Sequence, residues 1–127
     1  EVDDLPSTWN SMFKSWFDVE VPEDRLGCLQ DIHWSMGAFG YFPTYTLGNL
    51  YAAQLLEAMA ADLGNIDDMV ASGDWEPMLE WLRPRIHQRG SQVSPAQLIE
   101  DATGAPPSPE PFLRYVERKY GALYQLG

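Results

Sequence analysis

A chain of 127 residues is long enough for one domain with its own core. Hydrophobic residues make up 45% and charged residues 21%, which excludes a disordered composition. The formal charge of −11 argues against a nucleic-acid partner, which needs clustered Lys and Arg.

The pattern is helical from the start. Trp9, Met12, Phe13, Trp16 and Phe17 recur at helical spacing and form one apolar stripe. Pro6 or Ser7 starts that helix, and the Val19–Pro22 stretch is expected to stop it. Its aromatic load calls for a partner surface. Residues 23–41 read as a short helical turn around 24–30, then a compact loop rich in Trp, Phe and Tyr. Pro43 opens the longest helix, roughly 42–62. Its main stripe is Leu47, Leu50, Tyr51, Leu55, Ala58 and Met59, and Ala52, Ala53, Leu56 and Ala60 lie opposite. Gly48 and Ala52 would let a second backbone approach, and Gly64 is a natural stop.

Asn65 caps a short helix that ends near Gly73, and Asp74 is expected to cap the next. Trp75, Met78, Leu79 and Leu82 form the buried stripe of that one, and Pro84 kinks or ends it. Ser94-Pro95-Ala96-Gln97 has the form of a capping box, and Gly104 closes its helix. A proline-rich link, 105–111, leads to a last helix capped by Ser108. Phe112, Tyr115, Val116, Tyr120 and Leu123 are its stripe, and Arg114 is expected to pair with Glu110 and Glu117. No segment alternates with period two. The predicted fold is all-α, with about six helices.

The chemistry is sparse. Only two histidines occur, His33 and His87, with no H-E-x-x-H pair, so no metal site is expected within this chain. Neither a G-x-S-x-G elbow nor a phosphate-binding glycine loop occurs. No apolar run approaches the ~20 residues of a membrane span, and no membrane partner is expected. A single cysteine, Cys28, excludes an internal disulfide and suits a reducing cytoplasm, the expected location. The thiol itself is expected to be buried and inert. The chain opens on Glu1 inside a helix-start phrase and is expected to be a piece cut from a longer protein. Residues 1–80 set Lys14 and Arg25 against fifteen carboxylates, which is either a solvated acidic face or a field for cationic peptides.

One cluster carries possible site chemistry. Asp31 and His33 lie two apart, beside Trp34. A carboxylate there can fix the imidazole tautomer, or both groups can simply cap helix ends or satisfy backbone. The phenols of Tyr41 and Tyr45 can donate to an oxyanion or can serve aromatic packing alone.

The phrase Gly27-Cys28-Leu29-Gln30-Asp31-Ile32-His33-Trp34 fits G-x-x-Q-D-x-H-W and is followed by Phe39-Gly40-Tyr41-Phe42-Pro43-Thr44-Tyr45. With Leu5-Pro6…Trp9-Asn10 before it and Pro111-Phe112-Leu113-Arg114-Tyr115…Lys119-Tyr120 after it, the whole chain resembles the C-terminal part of the carboxypeptidase Taq family of zinc metallocarboxypeptidases. That resemblance implies the C-terminal helical portion of a larger, mostly helical zincin-like metallopeptidase that removes C-terminal residues from peptides. Residues 1–127 would form a single all-α fragment. In the family, zinc is held by the two histidines of H-E-x-x-H and a downstream glutamate, and none of these lies here. The motifs H-P-F, D-x-R-x-T, H-E-[SG]-Q and I-R-x-x-A-D are absent too. Carried over residue by residue, the resemblance implies substrate-cleft residues Gln30, Asp31, His33, Trp34, Tyr41 and Tyr45, with His33 and Tyr41 as catalytic candidates. It also implies a peptide substrate and the missing N-terminal portion as partners, with self-association a further option. The competing reading is a free-standing helical protein-binding module without catalysis.

Overall fold

The structure, a computed structural model, describes residues 1–126. Six α-helices are formed among them and no strand. Internal contacts gather into two units, Glu1–Pro43 and Thr44 onward.

In the first unit, a 3₁₀ turn at Val2–Asp4 leads into α1, Leu5–Phe17, with proline in its first turn. The helix stops before the Val19–Pro22 stretch. Asp18 takes the left-handed conformation (φ 54°) and donates its backbone N–H to the Lys14 carbonyl at 2.9 Å. Lys14 Nζ clamps this end, 2.7 Å from Asp18 and 3.2 Å from Glu20. Along α1, Trp9 stacks near Phe13 at 6.3 Å and Phe13 meets Phe17 at 4.8 Å. Met12, Trp16 and Phe17 remain exposed. The expected turn at 24–30 is a pair of 3₁₀ turns, Asp24–Leu26 and Cys28–Gln30, with Gly27 and Cys28 buried between α1 and the chain.

The second unit is built on α2, Pro43–Leu63. Met59 of α2 forms a small core with Ile66 and Trp81, flanked by Leu55, Ala58, Leu63, Met69, Met78 and Leu82. Asn65 Oδ1 accepts from the N–H groups of Asp67 and Asp68 and caps α3, Ile66–Ser72. Helix α4, Glu76–Leu82, has no side-chain cap. Asp74 is used otherwise: its N–H donates to Met69 C=O and seals the end of α3. Pro84 has no N–H for the preceding turn, and the chain widens into one π turn, Arg83–His87. The indole N–H of Trp81 donates to Asp62 at 2.7 Å, and Arg85 reaches the same oxygen at 3.1 Å with its guanidinium 4.5 Å above the indole.

Helix α5, Pro95–Thr103, has half of its expected box. Ser94 Oγ accepts from Gln97 N–H, but the Gln97 amide donates to Asp101 instead of reaching back. Ser108 Oγ accepts from Glu110 N–H at the start of α6, Glu110–Tyr124. Arg114 does not support α6 locally as expected. Its guanidinium makes a two-pronged pair with Glu57 on α2, at 3.0 and 2.7 Å, since a fork of two N–H groups fits a carboxylate better than single contacts along one helix. Gly48 meets no close neighbour, so the expected backbone approach at Gly48 and Ala52 is not made.

One side chain joins distant segments of this unit. Gln54, buried on α2, donates to Thr103 Oγ1 and to the carbonyls of Ala105 and Pro106, and accepts from Ser108 N–H. The proline-rich link is thereby tied to the middle of the longest helix.

Candidate active-site loop

The residues after Gln30 leave the 3₁₀ geometry, because Asp31 has extended backbone (φ −78°, ψ 105°). A tight loop then forms around the His33 carbonyl, which accepts from Met36 N–H at 3.2 Å and Ala38 N–H at 2.9 Å. Gly37 and Gly40 both take positive φ, 74° and 77°, where a side chain would be strained. Tyr41 N–H closes the second bend on Ala38 C=O at 3.3 Å.

This path brings Asp31, His33 and Tyr41 together. Asp31 Oδ1 accepts from His33 backbone N–H at 2.9 Å and lies 2.5 Å from His33 Nδ1. A carboxylate only accepts, so this contact selects the tautomer with its proton on Nδ1 and makes Nε2 the acceptor of the neutral ring. The two side chains are only 14% and 16% exposed. The Tyr41 ring stacks on the imidazole, centroids 5.5 Å apart and planes 20° apart, and Phe42 meets it edge-on at 5.7 Å. The backbone N–H and then the imidazole of His33 hold the Asp31 carboxyl below the usual carboxylate range.

The sign of the acid response follows. A depressed carboxylate stabilises its loop above its unfolded value, about 3.9, and that contribution is lost as pH falls through the lower folded value. The His33 backbone amide resonance should therefore titrate with a midpoint below about 3.9, and Asp31→Asn should abolish that step. A midpoint at or above the ordinary value in proton–nitrogen spectra would contradict the contact.

The other candidates are placed differently. Gln30 does not face His33: its amide donates to the Arg25 carbonyl and braces the first 3₁₀ turn from the second. Trp34 stacks on Phe39 at 6.1 Å and is 40% exposed. Tyr45 lies in the first turn of α2, half-exposed, and belongs to the second unit. Phe42, which packs against His33, is not among the sequence candidates. Its position between Tyr41 and the helix-opening Pro43 is the signal that could have found it.

Among the described residues, no three of His, Cys, Asp and Glu gather as a metal site. His33 Nδ1 is engaged by Asp31, and His87 lies in the π turn of the other unit. A zinc site needs three or more such ligands, and among the described residues no such group forms. No helix among the described residues is long and apolar enough to cross a membrane.

The family model of carboxypeptidase Taq (M32) metallopeptidases matches residues 1–120, and the chain belongs to that family. It is 48% identical to thermostable carboxypeptidase 1 of Thermus thermophilus over 122 residues, covering 96% of this chain and 24% of that protein. Identity to carboxypeptidase 1 of Bacillus subtilis is 40%, covering 98% of this chain and 25% of that protein. Among solved structures, the M32 carboxypeptidase of Deinococcus radiodurans superposes with a TM-score of 0.92 at 35% identity, over 98% of this chain and 25% of that one. Metallocarboxypeptidase 1 of Trypanosoma cruzi gives 0.89 at 41%, over 94% and 26%. The chain thus spans about a quarter of the length of these relatives.

Proposed function

We propose that this chain is the C-terminal segment of a zinc metallocarboxypeptidase that releases C-terminal residues from peptides, contributing cleft residues and inactive alone. The observation that supports this reading best is the Asp31–His33–Tyr41 stack within the stretch matched by the family. The metal ligands and general base then belong to the remainder of a family-length protein, and this chain's part is to bind and orient. Tyr41 donates its phenolic proton to the oxygen that gains charge during hydrolysis, or to the substrate's terminal carboxylate. His33, its ring plane and tautomer set by Asp31, pairs with substrate N–H when neutral and with carboxylate when cationic. Trp34, stacked on Phe39, adds an aromatic surface to the same loop, and Tyr45 and Gln30 remain candidates for substrate contact. A reducing cytoplasm suits its one buried thiol.

The second reading, a non-catalytic binding module, draws support from the exposed Met12, Trp16 and Phe17 of α1. One experiment separates the two. In a family-length polypeptide carrying these residues, Tyr41→Phe should lower kcat by ~10²–10³, the usual cost of one oxyanion donor. The 127-residue chain should release no C-terminal residue from peptides. Activity of the short chain would refute the claim that it is inactive alone, and an unchanged kcat/KM in Tyr41→Phe would remove Tyr41 from the mechanism.

A further inference from the structure

The loop that presents His33 begins at a contact made by α1. A methyl group built on Gly27 would lie 2.6 Å from Val21 Cγ1 and 3.4 Å from Cδ1 and Nε1 of Trp9. Gly27 is thus packed between a β-branched side chain and the edge of an indole, with no room for a side chain of its own. Trp9 is in turn backed by Phe13, whose ring lies nearly parallel to it at 13°. Gly27 also joins the two 3₁₀ turns. Its N–H donates to Asp24 C=O at 3.0 Å, and its C=O accepts from Gln30 N–H at 3.0 Å. The Gln30 amide then reaches back to Arg25 C=O. Asp31 follows directly, so wherever the Gly27–Gln30 turn sits, the carboxylate that pins His33 Nδ1 must sit with it.

We infer that Trp9 and Val21, acting through Gly27, are positioning residues for the Asp31–His33 pair. Their contact is with Gly27, four residues before Asp31. They fix the turn from which the carboxylate projects, and a displacement of a few tenths of an ångström at Gly27 is passed to Asp31 because only the three residues of a hydrogen-bonded turn lie between them. The importance of this for turnover rests on the role of His33 given above, but the geometry can be read without turnover.

The 127-residue chain has only two histidines, so an imidazole N–H signal is readily assigned, with His87 as internal comparison. A short Nδ1–H bond to carboxylate should give wild-type protein a far-downfield proton resonance at low temperature. Gly27→Ala should lose that resonance, and Val21→Ala/Gly27→Ala, which removes the obstructing Cγ1, should restore it. Helical circular dichroism of each variant reports folding. If Gly27→Ala does not fold, Trp9→Phe carries the test: it keeps a ring against Phe13 but withdraws the indole edge, and it should shift or broaden the signal. In a family-length enzyme the folded variant should lose up to ~10²-fold in kcat, the scale of a 1 Å misplacement, with KM little changed. A wild-type spectrum without the resonance, a folded Gly27→Ala that keeps it, or a double variant that fails to regain it would each overturn the inference. Loss of the resonance with undiminished turnover would leave the positioning intact and instead retire the catalytic reading of His33.

Discussion

Replacing His33 by alanine in a family-length enzyme should lower kcat by ~10²–10³-fold, the range found when one oriented hydrogen-bonding group is removed from a hydrolytic site. The same change should also cost stability, since Asp31 loses its imidazole partner. The imidazole gives up a stacked contact with Tyr41 and an edge contact with Phe42, together worth ~1–2 kcal/mol by the usual value of aromatic pairs. Asp31→Asn should be milder. The amide oxygen can still accept from His33 N–H, so the loop keeps its shape, but the charge that orders the ring is gone. Were Asp31 only a cap for the backbone, the expectation would reverse. Its loss would cost ~0.5–2 kcal/mol of stability and leave kcat alone. Steady-state kinetics beside thermal melts distinguish the cases, and unchanged kcat/KM in both variants would reduce the pair to a structural device.

The largest loss of stability from a single polar change is expected at Gln54. Only 5% of this residue is exposed, and its amide serves four partners on a segment about 50 residues away. Gln54→Leu conserves volume but leaves Ser108 N–H and the Pro106 carbonyl without this partner, while the Ala105 carbonyl keeps only the Thr103 hydroxyl at 3.2 Å. Each stranded buried group costs ~1–3 kcal/mol. Residues 105–107 are exposed enough for water to recover part of that, so the net loss should be about 2–4 kcal/mol. For a unit of this size that lowers Tm by on the order of 10 °C or more. Gln54→Glu offers a control with a definite sign. At neutral pH its carboxylate faces two carbonyl oxygens and should be at least as damaging. Acidification, by returning an O–H donor, should narrow the gap to wild type. A Gln54→Leu protein that melts within a degree or two of wild type would show that the link is held by other contacts.

Much of the helical framework was legible in the sequence because its punctuation is local. Pro43, Gly64, Asn65, Ser94 and Gly104 act within one turn of themselves, and each marks a real helix end. What escaped was set by partners far along the chain. Arg114 has acidic neighbours at helical spacing, yet it takes Glu57, which only the packing of α2 on α6 brings near. Asp74 is a different case, a shift of one residue: it has the right chemistry for a cap, but α4 starts one position later and Trp75 holds the cap position. Gln54 gave a signal that could have been used. It falls on the stripe of Tyr51, Leu55 and Ala58, and a polar side chain on an apolar face must find partners there. At the site, the Asp31–His33 contact was legible because a single residue, Ile32, separates its members. The packing of Tyr41 and Phe42 on His33 was not, since it depends on the bends at Gly37 and Gly40 that lie between His33 and Tyr41.

The burial of Cys28 and Trp81 has a practical consequence. Each is nearly sealed from solvent, at 7% and 4% exposure, and they lie in different units. The chain therefore carries two native clocks, one for each half. A thiol reagent can reach Cys28 only when the packing of α1 on the Gly27 turn opens, so its labelling rate measures the breathing of the first unit. The indole N–H of Trp81 exchanges with solvent deuterium only when Asp62 lets go, and so times the second. Comparison of the two rates would reveal whether the halves open together or one before the other, with no substitution in the chain.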